Sequence, residues 1–227
     1  MTATEKLIIA GASALAIGVA YYLKAPWIIP TSIVISAVLL VTFLEFEKSY
    51  DSTRIISLLA FITAFTIVSR QMLHGIDVSP VFFIVMLTGY VFGPVSGFVV
   101  GATTMFVSNF FVGGHGPWTP FQMTALGLTG VGAALLPHQK HARLRLLILC
   151  VYAFFSAFFY SAVTDIFWWM TFTREQTLKT YLAVSATGII FSVARAVGSI
   201  LLTIFFGPAL IKVFARFKSR FLVEYVD

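Results

Sequence analysis

The chain has 227 residues, of which 59% are hydrophobic and only 11% are charged, and its mean hydropathy is +0.96. A soluble domain carries about 25% charged residues. This composition therefore excludes a soluble enzyme, a disordered chain and a nucleic-acid-binding module. The net charge of +6 fits the Lys and Arg residues that collect in the cytoplasmic loops of membrane proteins. We predict an all-α, polytopic membrane protein.

Eight apolar runs predict eight helices, since a spanning helix needs roughly 20 apolar residues. The runs cover residues 7–23, 27–44, 54–70, 80–93, 95–112, 119–136, 144–166 and 181–211. The first run resembles a signal peptide, but one Lys precedes it and a second span follows closely, so we interpret it as a retained helix. Gly93-Pro94 predicts the turn after the short fourth run. The last run is long enough to include an interfacial extension after Pro208.

The Lys and Arg residues predict the orientation of these helices. With both termini in the cytoplasm, the inner side holds ten of them: Lys6, Lys48, Arg54, Lys140, Arg143, Arg145, Lys212, Arg216, Lys218 and Arg220. The outer side holds four: Lys24, Arg70, Arg174 and Lys179. The same orientation places all four tryptophans near the outer interface, where they form an aromatic belt or an outer binding site.

The absence of several motifs bears on function. The sequence contains no G-x-x-x-x-G-K-[ST] phosphate loop and no H-E-x-x-H zinc motif. With a single cysteine, Cys150, it also lacks a disulfide or a cysteine-based metal cluster. We therefore expect no catalytic residues, no bound metal and no enzymatic activity. The polar loop 45–54 predicts a boundary between two N-terminal helices, residues 1–47, and a six-helix core, residues 48–227.

Polar residues near the outer face are the candidate binding residues. The glycine- and proline-rich segment 109–122 begins with Asn109 and ends with Gln122, and buried amides of this kind need partners in protein, water or a ligand. Asp165 is either a functional carboxylate or an interfacial partner of Arg70 or Arg174. Arg195, about 21 Å below Tyr181 along a straight helix, must face the bundle interior or a partner subunit. We expect Asp165 to lie too high in the membrane to pair with it.

Several blocks of this sequence resemble the substrate-binding S component of energy-coupling factor (ECF) vitamin transporters. The distinctive blocks are Ser108-Asn109-Phe110-Phe111 and residues 116–123, Gly-Pro-Trp-Thr-Pro-Phe-Gln-Met. Less specific ones are Ala60-x-x-x-Ala64, residues 87–94 and Gly97-x-x-x-Gly101, whose small residues also suit ordinary helix packing. The resemblance covers about three quarters of the chain. The two helices ahead of residue 48 are similar to the branch of the family that includes cobalamin-type S components.

The resemblance implies a function and a set of partners. An S component binds its vitamin near the outer face, docks onto a shared membrane coupling subunit joined to two cytoplasmic ATPase subunits, and topples to release its substrate inside the cell. Ala60 and Ala64 would form the surface that contacts the shared subunit. The expected location is the plasma membrane, with ATP hydrolysis in the partner subunits and no cofactor besides the transported ligand.

Cobalamin is the expected substrate, since a corrin favours a wide aromatic pocket with amide and hydroxyl partners. The alternatives are riboflavin or another ring compound, or a self-sufficient secondary carrier that uses Asp165 or Arg195 for ion coupling. The predicted substrate-binding residues are Arg70, His74, Asn109, His115, Trp118, Gln122, Tyr160, Asp165, Trp168 and Trp169.

Overall fold

The computed structural model of the chain describes residues 9, 11–16, 18–19, 26, 28–49, 53–72 and 80–221. Residues 11–16 are helical, and eight further helices follow. They are α1 (Ile28–Ser49), α2 (Thr53–Met72), α3 (Val81–Phe92), α4 (Pro94–Ser108), α5 (Thr119–Ala134), α6 (Ala142–Phe172), α7 (Leu178–Thr187) and α8 (Ile189–Phe221). The described part contains no strand, which confirms the all-α fold class.

Four of these helices are long and apolar enough to cross a membrane, namely α1, α2, α6 and α8. Helices α3 and α4 are shorter apolar helices, with 12 and 15 residues. The 31 residues of α6 span about 46 Å, which exceeds the bilayer's hydrocarbon thickness of about 30 Å. The chain is therefore a multi-pass membrane protein, as its composition predicts.

Helix α3 lies at the centre of the bundle, and all twelve of its residues are buried. It packs against α4, α5 and α8, and it also contacts α2. The predicted turn at its end is present, since Gly93 has a φ of 103° and Pro94 begins α4. Because protein rather than lipid surrounds α3, it does not need the length of an isolated spanning helix.

Glycines allow α3, α4 and α5 to approach closely. A Cβ atom on Gly97 of α4 would lie 2.7 Å from Gly89 Cα on α3 and 2.8 Å from the Gly130 carbonyl carbon on α5. One on Gly101 would lie 2.7 Å from the Leu126 carbonyl oxygen. The predicted small-residue spacing thus serves helix packing within the core.

The prediction of a single helix over residues 181–211 is wrong. The chain forms α7 and α8 with a break at Gly188, whose backbone N–H bonds the Ser185 carbonyl instead of continuing the α-helical ladder. The N-terminus of α7 is fixed by a capping box between Thr177 and Thr180. Helix α8 then continues through Pro208 to Phe221, so no break separates an interfacial extension from the span.

Helix α1 packs on the outside of α4, α5 and α6. Its Ile35 meets Phe121 of α5 and Phe167 of α6 in a small buried cluster. The Thr31 hydroxyl contacts the Met170 sulfur at 3.4 Å. The N-terminal region and the core therefore touch close to the outer end of α6, while the boundary after residue 47 stays a prediction.

Candidate functional site

A cavity of about 630 Å³ opens between α2 to α8, at the end of the bundle that the Lys and Arg residues predict to face outward and that is called the outer end below. Five predicted binding residues line it: Arg70, Gln122, Tyr160, Asp165 and Trp168. The remaining lining residues are Val81, Phe82, Met105, Thr164, Phe172, Val184, Thr187, Gly188, Phe191 and Arg195. The lining combines aromatic rings with two guanidinium groups, one carboxyl group and one side-chain amide.

A hydrogen-bonded chain of side chains fixes one part of the lining. The Arg70 guanidinium donates to the Ser108 hydroxyl and, at 2.8 Å, to Asn109 Oδ1. Asn109 Nδ2 in turn donates to Gln122 Oε1 at 2.9 Å. Asn109 is only 2% exposed and does not line the cavity. It therefore lies behind Arg70 and Gln122 and bonds both of them, while the role in substrate binding predicted for Asn109 from the sequence stays a prediction.

Arg195 fixes a second part of the lining. Its guanidinium donates to Ser161 Oγ at 2.7 Å, and Ser161 shares a 2.6 Å hydrogen bond with Ser192. The guanidinium also lies 5.2 Å from the centre of the Tyr160 ring and 5.9 Å from that of Phe82. Such cation–π contacts favour a cation held away from bulk water. Arg195 thus faces the bundle interior, as its sequence predicts.

Asp165 and Arg195 line the same cavity. Whether Asp165 lies too high in the membrane to pair with Arg195, as the sequence predicts, stays a prediction. The estimate of depth assumed one straight helix from Tyr181 to Arg195, with a rise of about 1.5 Å per residue. The break at Gly188 removes that assumption, because α7 and α8 are separate helices.

Of the three tryptophans predicted to bind substrate, one lines the cavity and two lie outside the lining. Trp168 lines the cavity and stacks with Trp118, with ring centres 6.2 Å apart and planes at 15°. Trp118 itself lies outside the lining and supports Trp168 from behind. Trp169 also lies outside, where its indole N–H donates to Thr180 Oγ1 at 2.9 Å and links α6 to α7. Its ring packs edge-on against Tyr181.

Of the two predicted histidines, His115 is described by the structure, and it is not part of the cavity lining. His115 is exposed in the segment between α4 and α5, with its ring 4.2 Å from Phe110 and 5.1 Å from Phe106. His74 lies outside the described residues. Within the described ranges, no three His, Cys, Asp or Glu side chains come together in a group suited to a metal ion.

Ala60 and Ala64 lie on a separate surface of α2. Both are exposed, and being four residues apart they share one helix face. The neighbouring Phe61 and Phe65 are 69% and 58% exposed. This apolar surface is distinct from the cavity, and α1 packs on α4, α5 and α6 rather than over it. It is therefore accessible to a lipid or to a second membrane protein.

Reasoning from sequence missed Phe82, Thr164, Phe191 and Arg195 as lining residues. The first three carry no signal that separates them from other apolar or hydroxyl residues of a membrane helix. Arg195 did carry one, because a charged side chain within an apolar run indicates a functional site by default.

The cavity suits reversible binding of a flat polar ring. Trp168, Tyr160 and Phe82 offer ring faces and edges, which pack against a planar ligand. The Gln122 amide nitrogen has no hydrogen-bond partner among the described residues and is free to donate to a ligand. Arg70 and Arg195 supply further donors, and Asp165 supplies an acceptor.

Comparison with known proteins gives one family. A family model described as ECF-type riboflavin transporter, S component, matches residues 50–212, which is well over half of the chain. The matched range contains all the described residues that line the cavity, as well as Ala60 and Ala64. The chain shows no significant match to a curated protein or to a solved structure.

Proposed function

Because the chain belongs to the S components of ECF-type transporters, we propose that its outer cavity captures a vitamin with a planar ring system, and that riboflavin is the first candidate. Membership of this family implies that the chain assembles with an ECF module made of a T subunit and ATPase subunits. The observation that carries the proposal is the cavity of about 630 Å³, lined by aromatic rings and by fixed polar side chains.

Size and chemistry both support riboflavin. Pockets for ligands of drug-like size occupy about 300–1,000 Å³, and the cavity volume lies within that range. An isoalloxazine ring offers a flat apolar face to Trp168 and Tyr160, and carbonyl and N–H groups to Gln122. The ribityl hydroxyls suit acceptors and donors such as Asp165 and Thr164. The description of the matching family also names riboflavin.

Cobalamin is the second candidate. The helical segments before residue 50 lie outside the family match. They favour cobalamin, because they resemble the cobalamin-type branch of the family. A corrin with its side arms is several times larger than a flavin, so it requires the cavity to widen towards the outside. No such widening is needed for riboflavin, which is why riboflavin stands first.

We further propose that no chemical step takes place in this chain. ATP is hydrolysed in the partner ATPase subunits, and the chain contributes capture and release of the vitamin. The absence of a phosphate loop from the sequence supports this division of labour.

Ligand binding tests the proposal directly. We expect the purified chain, in neutral detergent and without its partners, to bind riboflavin at sub-micromolar concentration and to quench flavin fluorescence, because the ring packs against aromatic side chains. Cobalamin is titrated in parallel, with protein fluorescence as the readout. Tight cobalamin binding without riboflavin binding transfers the assignment to cobalamin. Solute uptake by the chain alone in liposomes under an ion gradient contradicts the proposal and indicates a secondary carrier.

Replacement of Asn109 by Ala weakens ligand binding although Asn109 does not line the cavity. It removes the acceptor for Arg70 and the donor to Gln122, and hydrogen bonds to charged groups contribute about 1.5–3 kcal/mol. We expect roughly a tenfold to hundredfold rise in Kd, measured by fluorescence titration. The control is Gln176→Ala, an amide at the same end whose side chain bonds only the Met170 carbonyl among the described residues. An unchanged Kd with lower thermal stability contradicts the orienting role.

A further inference from the structure

A second cavity, of about 600 Å³, lies at the opposite end of the bundle. Three cationic side chains line it: Lys140 before α6, Arg145 in the first turns of α6, and Lys218 near the end of α8. The charge distribution of the chain places this end at the cytoplasmic face of the membrane. The family match and the vitamin cavity assign no role to it.

The end of α3 holds part of this lining in place. The Tyr90 carbonyl has no helical donor four residues on, since that residue is Pro94, and His138 Nε2 lies 3.0 Å from it. The His138 ring stacks on Tyr90, with centres 4.5 Å apart. Lys218 Nζ donates to the Val91 carbonyl at 2.6 Å. The rim is therefore built by specific contacts and is more than a set of solvated side chains.

The cavity combines a positive rim with an apolar floor. Among the described residues that line it there is no acidic side chain, so this part of the lining carries net positive charge from Lys140, Arg145 and Lys218. Tyr90, Val91 and Ile211 are buried and form part of the floor. An anionic group with hydrocarbon attached matches both parts, whereas a free anion uses the rim alone.

We propose that this inner cavity binds the phosphate headgroup of an anionic phospholipid from the cytoplasmic leaflet. The phosphate lies among Lys140, Arg145 and Lys218, and the glycerol and upper acyl carbons lie against the apolar floor. Basic pockets between membrane helices on the cytoplasmic side are suited to such headgroups. The lipid then joins α3, α6 and α8 at their inner ends.

The test uses the full chain in neutral detergent with short-chain phosphatidylglycerol, short-chain phosphatidylcholine or inorganic phosphate. We expect phosphatidylglycerol to raise the thermal unfolding midpoint and to give one bound lipid by native mass spectrometry. Phosphatidylcholine and phosphate produce neither effect. If inorganic phosphate stabilises the chain as well as phosphatidylglycerol does, the ligand is a free anion and the lipid assignment is overturned.

Two triple variants separate the cavity from general surface charge. Lys140→Gln/Arg145→Gln/Lys218→Gln removes the rim, and we expect roughly hundredfold weaker phosphatidylglycerol binding, at about fivefold for each cation near an anionic lipid. The matched control, Arg143→Gln/Lys212→Gln/Arg216→Gln, removes the same charge from exposed positions outside the lining. Equal losses in both triples indicate non-specific attraction and overturn the proposal.

A double variant tests the proposal even if the loss of Lys218 disturbs the fold. Lys140→Gln/Arg145→Gln keeps the Lys218 bond to the Val91 carbonyl. We expect it to bind phosphatidylglycerol about 25-fold more weakly than the original chain, on the same scale per cation. Unchanged binding by this folded variant also overturns the proposal.

Discussion

Replacement of Ala60 or Ala64 by Trp is expected to abolish vitamin uptake and to leave vitamin binding within about twofold of its original strength. Both alanines are exposed on one face of α2, and neither lines the outer cavity. Membrane helices associate by close packing at small residues, so an indole between two helices keeps their backbones apart. Uptake is measured in cells or liposomes that contain the chain with its ECF module, and binding with the purified chain alone.

The control for this prediction is Ala183→Trp. Ala183 is an exposed alanine on α7, a helix that contacts α6 and α8. We expect this variant to keep both uptake and binding. Normal transport by Ala60→Trp and Ala64→Trp, or an equal loss in Ala183→Trp, removes the docking role from this face of α2. A pull-down of the coupling subunit distinguishes failed docking from a later failure in release.

The second large effect is expected at Gly130, where replacement by Ala disrupts the fold itself. A Cβ there falls on the backbone of Gly97 in α4, which is not a flexible side chain that can move aside. Overpacking of a close-packed core costs about 1–3 kcal/mol and occasionally more, and a clash between two backbones belongs at the upper end. We expect a loss of about 3 kcal/mol or more. The measurement is the yield of monodisperse protein and its unfolding midpoint in detergent.

Gly207→Ala provides the matched control for Gly130→Ala. Gly207 is also a buried helical glycine, but a Cβ there meets its nearest neighbour, Thr203 Cγ2, at 3.6 Å, an ordinary contact. We expect unchanged stability or a gain of up to about 1 kcal/mol, since Ala is the better helix former. A Gly130→Ala variant as stable as Gly207→Ala contradicts the close approach of α4 and α5.

Much of the fold follows from composition and from apolar run length, whereas the detailed site does not. The runs predict α1 to α6, and Gly93-Pro94 predicts the tight turn between α3 and α4. The sequence contains no comparable marker at Gly188, because an isolated glycine is also common inside membrane helices. The break at this one residue divides the predicted last helix into α7 and α8, and both helices contribute residues to the cavity lining.

The candidate site, too, could be predicted only in part from the sequence. The sequence indicates that Asn109 and Gln122 need partners, but not that they pair with each other and with Arg70, 39 positions before Asn109. An outer-interface tryptophan likewise fits a lining role and a supporting role equally well. Only the packing shows that Trp168 lines the cavity and that Trp118 lies behind it.

The burial of α3 has a consequence for biosynthesis. With only 12 residues it is too short to be stable alone in a bilayer, where about 20 are needed. Its final carbonyls receive donors from His138 and from Lys218, and Lys218 lies 127 positions after Val91, whose carbonyl it bonds. The central helix is therefore completed only after α8 has been synthesised. Until then α3 lacks part of the protein surface that buries it.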